Sequence, residues 1–317
     1  MTTAVRTPAP RPKTPPAAPG KPPARLRAWV TRAPLLPALV FLIIVTQLPM
    51  VATLIISFLD WNALYPEARS FGGFGNYSEV LTDPDLRESV FTTILLTVVV
   101  VLASLVLGLL IALLLDRSFK GRGIVRTMLI APFLVVPVAA ALLWKHVLYN
   151  PEYGLFNGAL NWLFGDSAPQ PDWIADMPLG AVQISLIWQW TPFMMLILLA
   201  GLQSRPAEAI EAARIDGAGA WQIFRFITLP HLRRYLELGA LLGTVYIVQN
   251  FDAVFTLTSG GLGTANLPYT IYQTFYQGHE YGVASAAGVL VVIGSLIIAT
   301  VALRVVSSLF REEGYAS

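Results

Sequence analysis

An all-α, polytopic membrane fold with six transmembrane helices is what the sequence predicts, on three observations. The 317 residues are 55% hydrophobic and only 13% charged, with mean hydropathy +0.63, whereas a soluble domain carries about 25% charged residues. Six stretches, near 35–59, 89–115, 127–149, 179–203, 237–258 and 282–306, are apolar over the roughly 20 residues that a helix needs to cross hydrocarbon. The charges are sorted between alternate connecting segments, as the positive-inside rule requires of a multi-span chain.

Before the first span, residues 1–34 are a different material. The run "TPAPRPKTPPAAPGKPPARLR" is rich in Pro, Ala and basic residues and has too little apolar surface to fold, so a disordered, basic cytoplasmic tail is expected. The apolar run that follows is too long for the hydrophobic region of a cleaved signal peptide. Residues 35–317 then form the six-helix transmembrane domain.

Six spans place both termini on one side, and the basic residues choose which. Arg6, Arg11, Lys13, Lys21, Arg25, Arg27 and Arg32 precede span one, and Arg117, Lys120, Arg122 and Arg126 lie between spans two and three. Arg205, Arg214, Arg225, Arg233 and Arg234 lie between spans four and five, and Arg304 and Arg311 stand at the end of span six and after it. Only Arg69, Arg87 and Lys145 fall opposite, so 18 of 21 basic residues share one side. Both termini are therefore expected in the cytoplasm, with the chain in a cytoplasmic membrane of bacterial type. The opposite loops, "FGGFGNYSEVL", "YNPEYGLFN" and "DWIADMP", are aromatic and turn-rich, suited to the membrane interface or to an external partner.

Composition excludes several chemistries. Cysteine is absent, which removes disulfides, thiolate metal sites and cysteine nucleophiles. The four lysines stand at 13, 21, 120 and 145, none in the glycine-rich context of a phosphate loop. "TSGGLG" at 258–263 reads as a turn. His146, His231 and His279 are too scattered for a metal site, so the chain is expected to be no enzyme and to bind no metal.

Between spans four and five, residues 204–236 interrupt the apolar pattern. Pro206, Glu208 and Glu211 suit a helix start, since proline lacks the orphan N–H and acids favour the positive end of the helix dipole. Gly217 and Gly219 permit a reversal, "AWQIFRF" suits a second short helix, and Pro230 is expected to break the chain before span five. The segment reads as a helix–turn–helix exposing Ile210, Trp221 and Phe224 among charges. By residue type alone it is equally an amphipathic hairpin against lipid headgroups.

The pattern Glu211-Ala212-Ala213, three residues, Gly217, nine residues, Ile227, one residue, Leu229-Pro230 resembles the EAA loop of binding-protein-dependent ABC importer permeases. "FGNY" at 74–77, "GRGIVRTMLIAPFLVVPV" at 121–138, "LTSGGLGTAN" and "YGVASA" at 281–286 are similar to its carbohydrate-uptake branch. The resemblance implies the ABC type I importer permease fold from about residue 35 onward. It implies that the loop, through Glu211, Ala212, Ala213, Asp216, Gly217, Ile227, Leu229 and Pro230, docks into a cleft of a separate ATPase subunit, where Glu211 meets a basic residue. The implied partners are a homologous second permease, two ATPase subunits that hydrolyse ATP with Mg, and an extracytoplasmic solute-binding protein. The loop also looks similar to those of sugar-alcohol permeases, which makes the expected solute a sugar or polyol.

Polar residues inside a span mark a pathway by default. Span five holds Tyr246, Gln249, Asn250, Asp252 and Thr256, which on one continuous helix share a broad face. Amides, a carboxylate and an aromatic ring suit a hydroxyl-rich solute, although Asp252 could instead neutralise a neighbouring helix. Span four adds Gln183, Gln189 and Trp190, with Pro192 expected to kink it. Gly239 and Gly243 offer a small-residue packing face. An ATP-independent carrier or channel, or a membrane scaffold, would need neither an ATPase nor this loop.

Overall fold

The computed structural model describes residues 35–309, so the expected tail, residues 1–34, and the last residues, 310–317, lie outside the described residues. Two compact units divide the chain after Ala52. Helix α1 (Leu36–Ile56) begins in the first unit; it carries no charged residue, and none of its residues is buried. A helix apolar on every side is suited to lipid rather than water.

In the second unit, strands β1 (Leu59–Asp60) and β2 (Ser70–Phe71) pair antiparallel, with Leu59 opposite Phe71. Helix α2 (Gly75–Thr82) follows. Its buried Asn76 donates from Nδ2 to the carbonyls of Ser57 and Leu59, both at 2.9 Å. The "FGNY" stretch thus fastens the hairpin to the start of the helical region.

Helix α3 (Pro84–Asp116) has 33 residues, about 50 Å at 1.5 Å per residue and longer than a hydrocarbon core. Asp83 caps its start, accepting from the backbone N–H groups of Asp85 at 2.7 Å and Leu86 at 3.0 Å. Leu96, Val100, Ser104, Gly108 and Ala112 recur every fourth residue and are buried, one face as helical periodicity demands.

The sequence treats 127–149 as one straight span, but the structure breaks it. Helix α4 (Arg122–Leu134) and the segment that begins with helix α5 (Pro137–Leu143) meet at 99°. Pro137 excludes Val136 from helical geometry, and Pro132 removes a hydrogen-bond donor one turn earlier. Gln189 Nε2 donates to the freed carbonyl of Val135 at 3.2 Å, as broken backbone inside a membrane requires. A wide π turn, Trp144–Leu148, extends α5. Helices α6 (Leu155–Phe164) and α7 (Trp173–Asp176) lead to helix α8 (Pro178–Gln203), which runs through Pro192 as a single element.

The loop forms helices α9 (Ala207–Ile215) and α10 (Ala220–Ile223). Pro230 does not break the chain as expected: a π turn, Phe224–Thr228, joins α10 directly to helix α11 (Leu229–Val248), with Pro230 in the first turn of α11. The missing N–H of a proline is tolerated at such a position.

The single span expected at 237–258 is also in two pieces. Helix α11 ends at Val248 and helix α12 (Asp252–Leu257) restarts after three residues. Helices α13 (Leu267–Tyr276) and α14 (Tyr281–Leu309) complete the described chain. Between α12 and α13, "TSGGLG" turns with positive φ at Ser259, Gly260, Leu262 and Gly263.

Among the described residues, α1, α3, α8 and α14 are long and apolar enough to cross a membrane, and the bent pair is a fifth if it is one span. Helix α11 carries Arg233, Arg234 and Glu237 in its first half, so its apolar part needs α12 to reach further. The packing centre lies where α3, α8 and α11 cross. A Cβ added at Gly108 would stand 2.8 Å from the backbone nitrogen of Met195, and one at Gly243 would stand 2.5 Å from Met194 Cε. Small residues here let the backbones approach, the service anticipated for Gly239 and Gly243.

Candidate functional site

Two places gather the residues singled out by the sequence. The first is the loop. Helix α9 ends in a paired motif around Gly217, whose φ is +83°. The Ala218 N–H donates to the Ala213 carbonyl at 2.9 Å, and the Gly217 N–H to the Arg214 carbonyl at 3.1 Å. This is a Schellman cap, in which a left-handed residue lets the last carbonyls of a helix find donors. Three residues of the sequence pattern thus have local work: Ala213 supplies the accepting carbonyl, Asp216 caps the helix and Gly217 turns the chain. On the far side of the turn, Gln222 Oε1 accepts from the Gly219 N–H at 2.8 Å and starts α10.

Asp216, Gly217, Ala218, Gln222, Ile223, Phe226 and Ile227 line one hollow of about 300 Å³. The nine-residue interval between Gly217 and Ile227 therefore closes into a single surface feature. Glu211 and Ala212 are exposed on α9, while Leu229 is half-buried and Pro230 exposed where α11 begins. The apolar side chains shown to solvent are Ile215, Trp221 and Phe226, at 86%, 69% and 65% exposure. Ile210 and Phe224 are half-buried instead, because Phe224 lies within the π turn and its ring stacks on Trp221 with centroids 5.5 Å apart.

The second place surrounds the break between α11 and α12. Tyr246 is exposed, and its ring lies 5.2 Å from that of Trp190 on α8. Phe133 of α4 and Phe193 of α8 complete the group, with Phe133–Trp190 at 5.7 Å and Phe133–Phe193 at 5.2 Å. Asn250 stands in the break: its Oδ1 accepts from the Ala253 N–H at 3.4 Å, and its carbonyl accepts from Asn266 Nδ2 at 2.5 Å. Lys145 Nζ donates to the carbonyl of Thr256 at 2.8 Å. Asn266 thus satisfies backbone that the interruption leaves open, and Lys145 satisfies a carbonyl at the C-terminal end of α12.

The expectation that Tyr246, Gln249, Asn250, Asp252 and Thr256 share one helix face is corrected by this geometry. The helix stops before Gln249, so a four-residue repeat does not carry across. Gln249 lines a different hollow, of about 470 Å³, with Val245, Pro268, Ile271 and Val291. Asp252 is the half-buried first residue of α12. What the structure brings together is Tyr246 with Trp190, and Asn250 with Asn266. Phe133, Phe193, Lys145 and Asn266 were not among the expected path residues. Asn266 had a local signal, an Asn one residue ahead of Leu-Pro, which is a helix-start pattern.

The chain matches the family model described as "Binding-protein-dependent transport system inner membrane component" over residues 104–312. It is 35% identical over 276 residues to the trehalose/maltose transport system permease protein MalF of Thermococcus litoralis, covering 86% of this chain and 91% of that one. It is 33% identical to the trehalose transport system permease protein SugA of Mycobacterium tuberculosis, covering 80% and 81%. Among solved structures, a chain of a bacterial alginate ABC transporter in complex with an alginate pentasaccharide-bound periplasmic protein is similar in fold. The TM-score is 0.77 at 22% identity, over 90% of this chain and 96% of that one. The expected all-helical permease fold is therefore the fold of a known class, and the chain is a multi-pass inner membrane component rather than a catalytic one. It belongs to the family of binding-protein-dependent transport system inner membrane components, the permeases of ABC importers.

Proposed function

We propose that this chain carries a sugar or sugar alcohol into the cytoplasm as one transmembrane subunit of an ATP-driven importer. The observation that carries the reading is the loop. A Schellman-capped turn at Gly217 joins α9, which exposes Glu211 and Ile215, to the segment that exposes Trp221 and Phe226, a mixed polar and apolar surface with the character of a protein-binding patch. Its occupant is an ATPase subunit that hydrolyses ATP with Mg. A homologous permease, a second ATPase subunit and an extracytoplasmic binding protein complete the importer. Both termini and the loop face the cytoplasm. Carbohydrate as the solute is supported by the trehalose and maltose permeases among the relatives. The Trp190–Tyr246 pair supports it too, since aromatic faces suit the C–H faces of a sugar ring.

Co-purification tests the loop. The wild-type chain should bring down its ATPase and hydrolyse ATP in response to solute-loaded binding protein. Glu211→Lys should lose both, because a partner cation left without its carboxylate is costly. Uptake that continues in Glu211→Lys without ATP would favour an ATP-independent carrier.

A further inference from the structure

One arginine ties the loop to three long helices. Arg205 stands where α8 has ended and the loop begins, and its guanidinium points three ways. Nη2 meets Asp116 Oδ2 at 2.5 Å, Nη1 donates to Thr228 Oγ1 at 2.8 Å, and Nε donates to the Leu202 carbonyl at 2.9 Å. Asp116 is the last residue of α3, Leu202 lies in the last turn of α8, and Thr228 closes the π turn that enters α11. The side chains of Arg205 and Asp116 are 14% and 26% exposed, and Thr228 is 1% exposed. A planar guanidinium with fixed donors sets angles as well as distances.

A second tie lies beside the first. Ser204 Oγ is 3.1 Å from His231 Nε2 and 2.9 Å from the hydroxyl of Tyr235, both on α11. The loop is therefore clamped at the point where it leaves α8 and at the point where it enters α11. Between those points no residue of α9 or α10 is buried, and the π turn is a locally widened helix of the kind found at functional sites.

We propose that Arg205, Asp116 and Thr228 form the joint that passes motion of the loop to α3, α8 and α11. They act as positioning residues for coupling, distinct from the residues that touch the ATPase. The proposal rests on the reading of the loop as the ATPase-docking surface. With the joint intact, displacement of α9 and α10 must carry the ends of three helices along. With it broken, the exposed loop moves alone and the π turn absorbs the displacement.

The test uses the assembled importer with its ATPase subunits and ATP. The chain has no cysteine, so cysteines can be placed at Phe91 of α3 and Phe255 of α12, both exposed, and spin-labelled. In the native complex, ATP should shift the distance between the two labels. Asp116→Asn should abolish the shift while the ATPase still co-purifies and hydrolyses ATP, and Thr228→Val should narrow it. The swap of Asp116→Arg with Arg205→Asp should restore part of the shift, which a merely destabilising substitution would not do. A full shift in Asp116→Asn, or in Thr228→Val where Asp116→Asn fails to assemble, overturns the joint, and so does the absence of any shift in the native complex. Failure of the docking reading looks different: the native chain would then recover no ATPase.

Discussion

The rings of Trp190 and Tyr246 lie 5.2 Å apart with 33° between their planes, joining α8 to the last turn of α11 directly before the helix breaks. Tyr246 is 56% exposed although its neighbours Ile247 and Val248 are fully buried. On the proposed path, a ring held by an aromatic neighbour yet open on its other side would stack against a sugar ring. Aromatic contacts are worth about 0.5–1.5 kcal/mol beyond area burial. Tyr246→Ala should therefore raise the solute concentration for half-maximal uptake by roughly two- to twelvefold, and Trp190→Ala should do at least as much by removing the support. Tyr246→Phe should stay near native. Uptake curves for the three variants that superimpose on the native one would place the path elsewhere.

Asn266 is fully buried and ties the broken span to the start of α13. Its Nδ2 donates to the Asn250 carbonyl at 2.5 Å, and its Oδ1 accepts from the Tyr269 N–H at 3.2 Å. Asn266→Ala would strand one acceptor and one donor, at about 1–3 kcal/mol for each buried group left unpaired. A lower melting temperature of the purified protein is expected, and Asn266→Asp, which keeps the acceptor alone, should fall between the two. Equal melting temperatures would mean that another group satisfies the break.

The straight spans were legible because composition decides them: α1, α3, α8 and α14 each contain a long uncharged apolar run, and lipid asks nothing more specific. The turn at Gly217 was legible for a similarly local reason, since a glycine after Ala-Arg-Ile-Asp offers the left-handed residue that a helix end uses. The interruption at Gln249–Phe251 was not. It contains no proline or glycine, and the group that satisfies it, Asn266, stands 16 residues from its partner. Pro230 misled in the opposite direction, because its effect depends on the π turn before it rather than on proline alone. The joint at Arg205 left no pattern either, as Asp116 lies 89 residues away.

Membrane orientation can be read with single cysteines against the cysteine-free background. Ser167→Cys should react with an impermeant thiol reagent in intact cells and Ala220→Cys should not, although both positions are exposed in the fold. Opening the cells should let Ala220→Cys react. The reverse pattern would overturn the orientation drawn from Lys and Arg.

Glu79 on α2 has its carboxyl pushed above the usual range by partial desolvation and by the negative charges of Glu280, Asp83 and Asp60. A raised carboxyl pKa means that the folded chain takes up its proton before the unfolded chain does. Stability should therefore rise as the pH falls through the folded pKa and level off below the unfolded value near 4.5. Glu79→Gln should be more stable than the native protein at neutral pH, with the gap closing as the pH falls. A gap in melting temperature that stays constant with pH would show that these neighbours do not act on Glu79.

Gly217 isolates backbone conformation from packing. Nothing lies within 4 Å of a Cβ built there, yet φ is +83°, so any substitution is felt through the backbone rather than through collision. A β-branched residue tolerates that region poorly, and the left-handed form costs an ordinary residue about 1–2 kcal/mol. Asn visits it more readily and serves as an alternative helix terminator. Gly217→Val should therefore unwind the cap that holds Ala213, Arg214 and Ala218, misplacing Glu211 relative to Ile227, and uptake should be lost. Gly217→Asn should retain a large part of it. Both variants should insert into the membrane as the native chain does, since no residue of α9 or α10 is buried. The decisive comparison is the amount of ATPase recovered with each variant, in the order Gly, Asn, Val. Equal recovery and native uptake in Gly217→Val would mean that the left-handed turn is not what shapes the docking surface.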